Sequence, residues 1–92
     1  MVEIVFENEC HRSAAYDGTE NIGEGIFTPS EKIWTIDSIR VDEKHSGQGI
    51  ARKLVDEIVE EARKAGVKIT PICTYALHLF QKEEKYCDVW SK

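Results

Sequence analysis

Cysteine is scarce in this 92-residue chain, with 3 residues at Cys10, Cys73 and Cys87. The count is odd and no Cys-x-x-Cys pair occurs, which argues against a disulfide-stapled secreted scaffold. Cys10 and Cys87 read as small buried hydrophobes. The three histidines, His11, His45 and His78, stand at no metal-ligand spacing, so no metal site is expected. Proline is limited to Pro29 and Pro71, and no repeat, linker or low-complexity tract appears. No apolar run approaches the ~20 residues that span a bilayer, so no membrane partner is expected. The opening Met1-Val-Glu-Ile-Val-Phe-Glu has no basic stretch followed by a long apolar one. No secretory signal is read there, and a cytoplasmic location is the expectation. Positive charge is also short: 12 Lys and Arg face 17 Asp and Glu, for a net charge of −5. That balance leaves no basic footprint for nucleic acid.

What remains is 41% hydrophobic, 32% charged and 9% aromatic residues, the composition of a folded globular chain. The length suits a single domain over residues 1–92, with no room for separate cofactor and substrate domains. A monomer or weak homodimer is expected.

Val2 to Phe6, His11 to Tyr16, Asn21 to Thr28 and Ile33 to Val41 have strand composition. Asp17-Gly18 and Pro29-Ser30-Glu31-Lys32 punctuate them as turns, while Gly23 and Gly25 permit a bend or bulge. Along the fourth strand, alternation places Trp34, Ile36, Ser38 and Arg40 on one side. Ile33, Thr35, Asp37, Ile39 and Val41 fall on the other. The period then changes. Ile50, Ala51, Leu54, Val55, Ile58, Val59 and Ala62 form one apolar stripe of a helix. Glu57, Glu60 and Glu61 belong to its solvated face, and Gly66 supplies its stop. Val67 to Thr70 is a short strand ended by Pro71. Thr74 is placed to cap a second helix carrying Ala76, Leu77 and Phe80, and Tyr86 to Trp90 is apolar enough to dock. Trp34 and Trp90 read as core or edge anchors. The order β-β-β-β-α-β-α predicts an α+β fold with a mixed, mostly antiparallel sheet. Its last two strands run parallel through a right-handed crossover.

The turn from Val41 to Leu54 carries the most chemistry. Gly47 and Gly49 let the backbone approach a ligand, and the first N–H groups of the helix have no partner within it. Such amides, at the positive end of a helix dipole, suit phosphate oxygens. Arg52, one turn in, can add a full charge. Glycines easing a solvated strand-to-helix connection would read the same way. No third glycine or downstream acid completes a dinucleotide fingerprint.

Val41, the polar stretch after it, and Gly47-Gln48-Gly49-Ile50-Ala51 leading into Lys53-Leu54-Val55 resemble motif A of the GNAT N-acetyltransferase superfamily. That motif is written Gln/Arg-x-x-Gly-x-Gly/Ala. Gly49 and Ala51 fill its last two positions, and Ser46 stands where Gln or Arg is usual. Ile69-Thr-Pro-Ile-Cys-Thr-Tyr-Ala76, with Phe80, Tyr86, Asp88 and Val89, is similar to the C-terminal signature of the small single-domain GNAT-like acetyltransferases. The resemblance covers residues 33–90, and the first strands by pattern. Ser38-Ile39 replaces the His-Thr usual in that branch. As in that branch, no helices fit between the first two strands.

The resemblance implies acetyl-CoA as cofactor, held by main-chain contacts from Ile39 to Val41. The pyrophosphate would sit on Ser46, Gly47, Gln48, Gly49, Ile50 and Ala51, with Arg52 nearby. It implies that the fourth and fifth strands splay around the pantetheine arm and bring Cys73 near the thioester, as nucleophile or as pocket lining. The acceptor would be an unidentified amine. Asp37 as a base through water and His78 as a base are lesser candidates. A CoA-binding module with little transfer, favoured by the missing His at position 38, is the alternative. A pure interaction domain using the exposed sheet face is a third reading.

Overall fold

The computed structural model describes residues 1–91 and shows a mixed α+β architecture. β1 (Val2–Glu7), β2 (Arg12–Asp17), β3 (Glu20–Thr28) and β4 (Ile33–Val41) form an antiparallel meander. α1 (Ile50–Ala65) crosses over to β5 (Lys68–Pro71), which pairs parallel with β4. α2 (Thr74–Lys82) follows. The sheet order is β1-β2-β3-β4-β5. A short 3₁₀ turn, Asn8–Cys10, and its capping residue His11 are all that separate β1 from β2.

The predicted stripe of α1 is its buried face: Ile50, Leu54, Val55, Ile58, Val59 and Ala62 are all inaccessible or nearly so. The helix stops as expected at Gly66, which takes φ 73°. The Gly66 N–H donates to Arg63 O at 3.2 Å and the Val67 N–H to Ala62 O at 3.0 Å, a Schellman closure. The helix lies against a seam of small residues. A Cβ on Gly25 would come within 2.9 Å of Ser13 Oγ and Ile39 Cδ1 and 3.2 Å of Ile58 Cδ1. Ser13, fully buried, donates its hydroxyl to the Leu54 carbonyl at 2.9 Å. Gly25 therefore serves close helix approach rather than a bend.

The irregularities fall elsewhere. Register shifts leave Ile22 extra on β3 and Asp37 extra on β4. The bulge at Asp37 breaks the continuous alternation expected of β4. Before it, Trp34 and Ile36 face the core; after it, Ile39 and Val41 do, while Ser38 and Arg40 are exposed. One inserted residue reverses the side to which every later residue points. Trp34 stacks on Phe27 at 4.8 Å, and Phe6 stacks on Phe27 at 5.4 Å.

Three further expectations change. Cys10 and Cys87 are exposed: Cys10 ends a 3₁₀ turn none of whose residues is buried, and Cys87 follows Tyr86, which takes the interior place. Cys73, not Thr74, is the N-cap of α2, and no side chain caps it. Glu57 and Glu61 are half-buried, and burial raises the Glu57 carboxyl above its ordinary range. The tail docks as expected. The Ile69 N–H donates to Val89 O at 2.6 Å, the Ser91 N–H to Ile69 O at 2.8 Å, and Arg63 grips Asp88 through two 2.9 Å bonds.

The sheet face away from α1 is held by charge. Arg12 bridges Glu7 at 2.6 Å and Glu24 at 2.8 Å, and the Tyr16 hydroxyl donates to Glu7. Ala14 is completely buried on this face. Tyr16, then Arg12, hold the Glu7 carboxyl below its ordinary 4.5. A lowered carboxyl contributes stability that is present above 4.5 and lost as pH falls through the native value. Glu7→Gln is therefore expected to lower stability by about 1 kcal/mol at pH 7. In thermal melts across pH, the deficit should hold down to about pH 5 and close below about pH 4. A gap independent of pH would contradict this account.

Candidate cofactor cleft between β4 and β5

β4 and β5 pair only from Ile33↔Lys68 to Ile36↔Pro71. There the chain forks. The Ile36 carbonyl accepts the N–H groups of both Ile72 and Cys73, each at 3.0 Å, and the chain then turns into α2. β4 continues to Val41 along β3 alone. The Asp42 N–H donates to Ile22 O on the β3 side at 2.8 Å. Because successive residues of a strand present their polar groups to alternate edges, those of Ile39 and Val41 face the opened side. The fork thus exposes a strip of strand edge.

Beyond Val41 the chain makes a 3₁₀ turn, Glu43–His45, then runs through Ser46, Gly47, Gln48 and Gly49 into α1. Gly47 and Gly49 adopt φ 80° and 75°, where a side chain would be strained. Gly49 is the N-cap of α1 and provides no side-chain cap, and the first helical bond is Lys53 N–H to Gly49 O at 3.2 Å. The N–H groups of Ile50, Ala51 and Arg52 consequently have no acceptor within the helix. A cavity of about 310 Å³ opens here, lined by Val41, His45, Ser46, Gly47, Gly49, Ile50, Ala51 and Tyr75.

Of the residues singled out by sequence, Val41, Ser46, Gly47, Gly49, Ile50 and Ala51 meet at this cavity. Ile39, Gln48, Arg52 and Cys73 lie outside its lining. Ile39 packs its side chain into the core. Gln48 is exposed on the loop. The Ser46 hydroxyl is turned inward onto Glu43 O at 2.9 Å. Cys73 stands at the fork, half-buried against the core, with its N–H held by Ile36. Arg52 is committed elsewhere: its guanidinium pairs with Glu83 just after α2, and this contact raises the Arg52 pKa and lowers that of Glu83. Asp37 accepts hydrogen bonds from Thr28 and Thr35 at the bulge, and His78 is exposed on α2.

Sequence reasoning missed two lining residues. Tyr75 comes in on the first turn of α2; burial raises its phenol above its ordinary range, and Arg52 opposes that shift. His45 sits just before the glycine turn, and its Nε2 lies 3.3 Å from Asp17 Oδ2. Tyr75 lies within the Ile69 to Ala76 signature, which assigned it no role, and His45 was signalled only by standing one residue before Ser46. Among the described residues, no group of three or more His, Cys, Asp or Glu is arranged to hold a metal, and no helix is long and apolar enough to cross a membrane.

The sequence matches the GCN5-related N-acetyl-transferase family over residues 12–89. The chain belongs to this family. A GCN5-like protein from Staphylococcus aureus, solved by NMR, is 30% identical over 97% of this chain and 87% of its own, with TM-score 0.76. A GNAT family acetyltransferase from Elizabethkingia anophelis, crystallised with acetyl-CoA bound, is 27% identical over 77% of this chain, with TM-score 0.63. An Escherichia coli GNAT family N-acetyltransferase in complex with CoA is 28% identical over 73% of this chain, with TM-score 0.64. The alignments cover 50% and 42% of those two larger proteins. Among curated proteins, none matches significantly.

For this GNAT domain, the Arg52–Glu83 pair is half-open to solvent, at 40% and 28% side-chain exposure. A double-mutant cycle with Arg52→Gln and Glu83→Gln is expected to give a coupling of about 0.5 kcal/mol that fades in high salt. Arg52→Gln should leave cofactor affinity within about twofold, since each tenfold needs about 1.4 kcal/mol. A loss of tenfold or more in that affinity would return Arg52 to the ligand site.

Proposed function

We propose that this chain is an acetyl-CoA-dependent N-acetyltransferase acting on an amine acceptor. The observation that carries the reading is the fork at Ile36. It opens the β4 edge beside two helix N-termini and leads into an uncapped glycine turn, in a chain belonging to the GCN5-related family. Solved family members of similar fold hold acetyl-CoA or CoA, which supports the same ligand class here.

The residues fit such a ligand. The free amides of Ile50, Ala51 and Arg52, with the flexible Gly47-Gln48-Gly49 backbone, would receive the pyrophosphate. The exposed edge at Ile39 and Val41 would pair with the amides of the pantetheine arm. Bound acetyl-CoA would supply a thioester for the acceptor nitrogen to attack, the amine proton passing through solvent to the CoA thiolate that departs. A backbone N–H beside the Asp37 bulge is suited to the developing oxyanion. Cys73, at the fork, would lie near the end of that arm, either lining the pocket or taking the acetyl group first. Tyr75 would cover the cavity mouth from α2.

One observation favours a binding module with weak transfer: Ser38, exposed beside the bulge, offers no ionisable group. Both readings require cofactor binding. Acetyl-CoA at 100-fold its Kd adds about 2.7 kcal/mol of stability, so melting should rise by roughly 10 °C or more. An unmoved melting temperature at millimolar acetyl-CoA would sink both. Intact mass then separates them: an acetyl adduct lost in Cys73→Ala supports covalent transfer, and turnover of amines without an adduct supports direct attack. Binding with neither outcome leaves the module.

A further inference from the structure

We propose that the acceptor enters the fork from the helix-free face of the sheet as a primary alkylammonium, its charge docked on Asp37 and its aliphatic stem on Ile72. This rests on the acetyl-CoA reading above and deepens it by naming the class of amine and the side from which it comes. α1 and α2 cover one face of the sheet: Ala76 and Phe80 belong to a single buried cluster with Val55, Ile58 and Ile36. On that side the fork is packed, with Cys73 half-buried against the cluster. Among the described residues no helix covers the opposite face, so an acceptor reaches the splayed strands from there.

Asp37 is oriented on that face and lacks a cation. Thr35 lies between the core residues Trp34 and Ile36 and so points away from the helices; its hydroxyl donates to Asp37 Oδ1 at 2.9 Å. Thr28, next to buried Phe27, donates to Oδ2. One hydroxyl on each oxygen fixes the carboxylate, and each oxygen keeps a further acceptor site. Among the described residues Asp37 forms no ion pair. Elsewhere on the face the acids are matched: Arg12 takes Glu7 at 2.6 Å and Glu24 at 2.8 Å, and Arg40 lies 3.8 Å from Glu24 and 3.1 Å from Asp42. Glu3 is unmatched as well, but it stands on β1, at the far edge of the sheet from the fork.

An apolar group stands across from it. Ile69 and Pro71 of β5 are buried, whereas Ile72, one residue on, is 60% exposed. The Ile72 N–H donates to Ile36 O at 3.0 Å, and Asp37 is the residue after Ile36, so the two side chains flank the opening of the fork. An oriented carboxylate without a cation, beside an exposed aliphatic side chain, suits a ligand that has both complements. An alkylammonium lays its methylenes on apolar surface while its charge takes charge-assisted hydrogen bonds. Ser38, the next residue, is small and exposed and leaves the approach open. The bulge whose N–H suits the oxyanion also carries Asp37, so a nitrogen docked there is beside the reacting carbonyl. The docked ammonium gives one proton to water before its nitrogen attacks; Asp37 selects and positions the acceptor.

Titration of n-butylammonium into the full chain saturated with CoA, followed by backbone amide NMR, reads the docking without requiring turnover. Saturable shifts are expected at Thr28, Thr35, Asp37 and Ile72, and n-butanol, the neutral counterpart, should bind about tenfold more weakly or worse. Asp37→Asn should weaken the ammonium about tenfold and leave the melting shift produced by CoA unchanged. Ile72→Ser, at an exposed position, should weaken it roughly two- to threefold. Melting curves verify that both variants fold, and the wild-type comparison of ammonium with alcohol stands if they do not. With acetyl-CoA in place of CoA, any loss of turnover in Asp37→Asn should fall on the KM of the amine. A lysine side chain and a free small amine share this head group. Tighter binding of a lysine-containing peptide than of n-butylammonium places the acceptor on a polypeptide, and equal binding places it among small amines. Shifts confined to another surface, equal affinity for n-butanol, or unchanged affinity in folded Asp37→Asn would each overturn the proposal while leaving the acetyl-CoA reading intact. Failure of CoA itself to bind would overturn that reading and this proposal with it.

Discussion

The Ile36 carbonyl accepts two backbone N–H groups at 3.0 Å, from Ile72 and Cys73, at the last point where β4 and β5 are joined. A parallel pair cannot continue past that double acceptance, since Ile72 and Cys73 have both spent their donors on one oxygen. The chain turns into α2, with Cys73 as its cap, and the next residues of β4 keep a free edge. The Asp37 bulge lies immediately beyond, so the reversal of side-chain direction coincides with the opening. Strand edge, helix N-terminus and half-buried thiol are brought together by this one backbone event.

The fork holds only because α1 is fixed on the sheet. Its close approach depends on Ser13, Ala15 and Gly25 leaving little volume between helix and strands, and on Ser13 satisfying the Leu54 carbonyl. Beside it, a Cβ on Gly23 would meet the Arg40 carbonyl at 2.8 Å, so this glycine fixes the path of β4. From the far side, Tyr86 donates to Asp56 and Lys85 reaches the same carboxylate, while Glu83 holds Arg52. These contacts anchor the segment after α2 to the first half of α1, and the cavity lies between the two helix starts.

Most of the fold was legible because its signals are local. The period-3.6 stripe of α1, the Gly66 stop and the turn dipeptides each depend on a few neighbouring residues, and all fell where the structure has them. The bulge at Asp37 was not legible, since Ile33 to Val41 alternates acceptably in either phase and only pairing with Phe27 and Ile26 fixes the insertion. Cys10 and Cys87 were misread because burial of a cysteine depends on which way a turn faces. The glycine turn was visible as residues 46–51, yet its partners were not. Arg52 finds Glu83 across 31 positions and His45 finds Asp17 across 28, distances at which sequence pattern carries no information.

Those two long-range pairs decide the electrostatics of the cavity. With Arg52 neutralised by Glu83, the fixed positive potential at the glycine turn comes from main-chain dipoles, which act over about the first turn of a helix. Such a site recognises an anion by geometry more than by charge, consistent with Ser46 standing where a longer polar side chain is usual and turning its hydroxyl back onto Glu43.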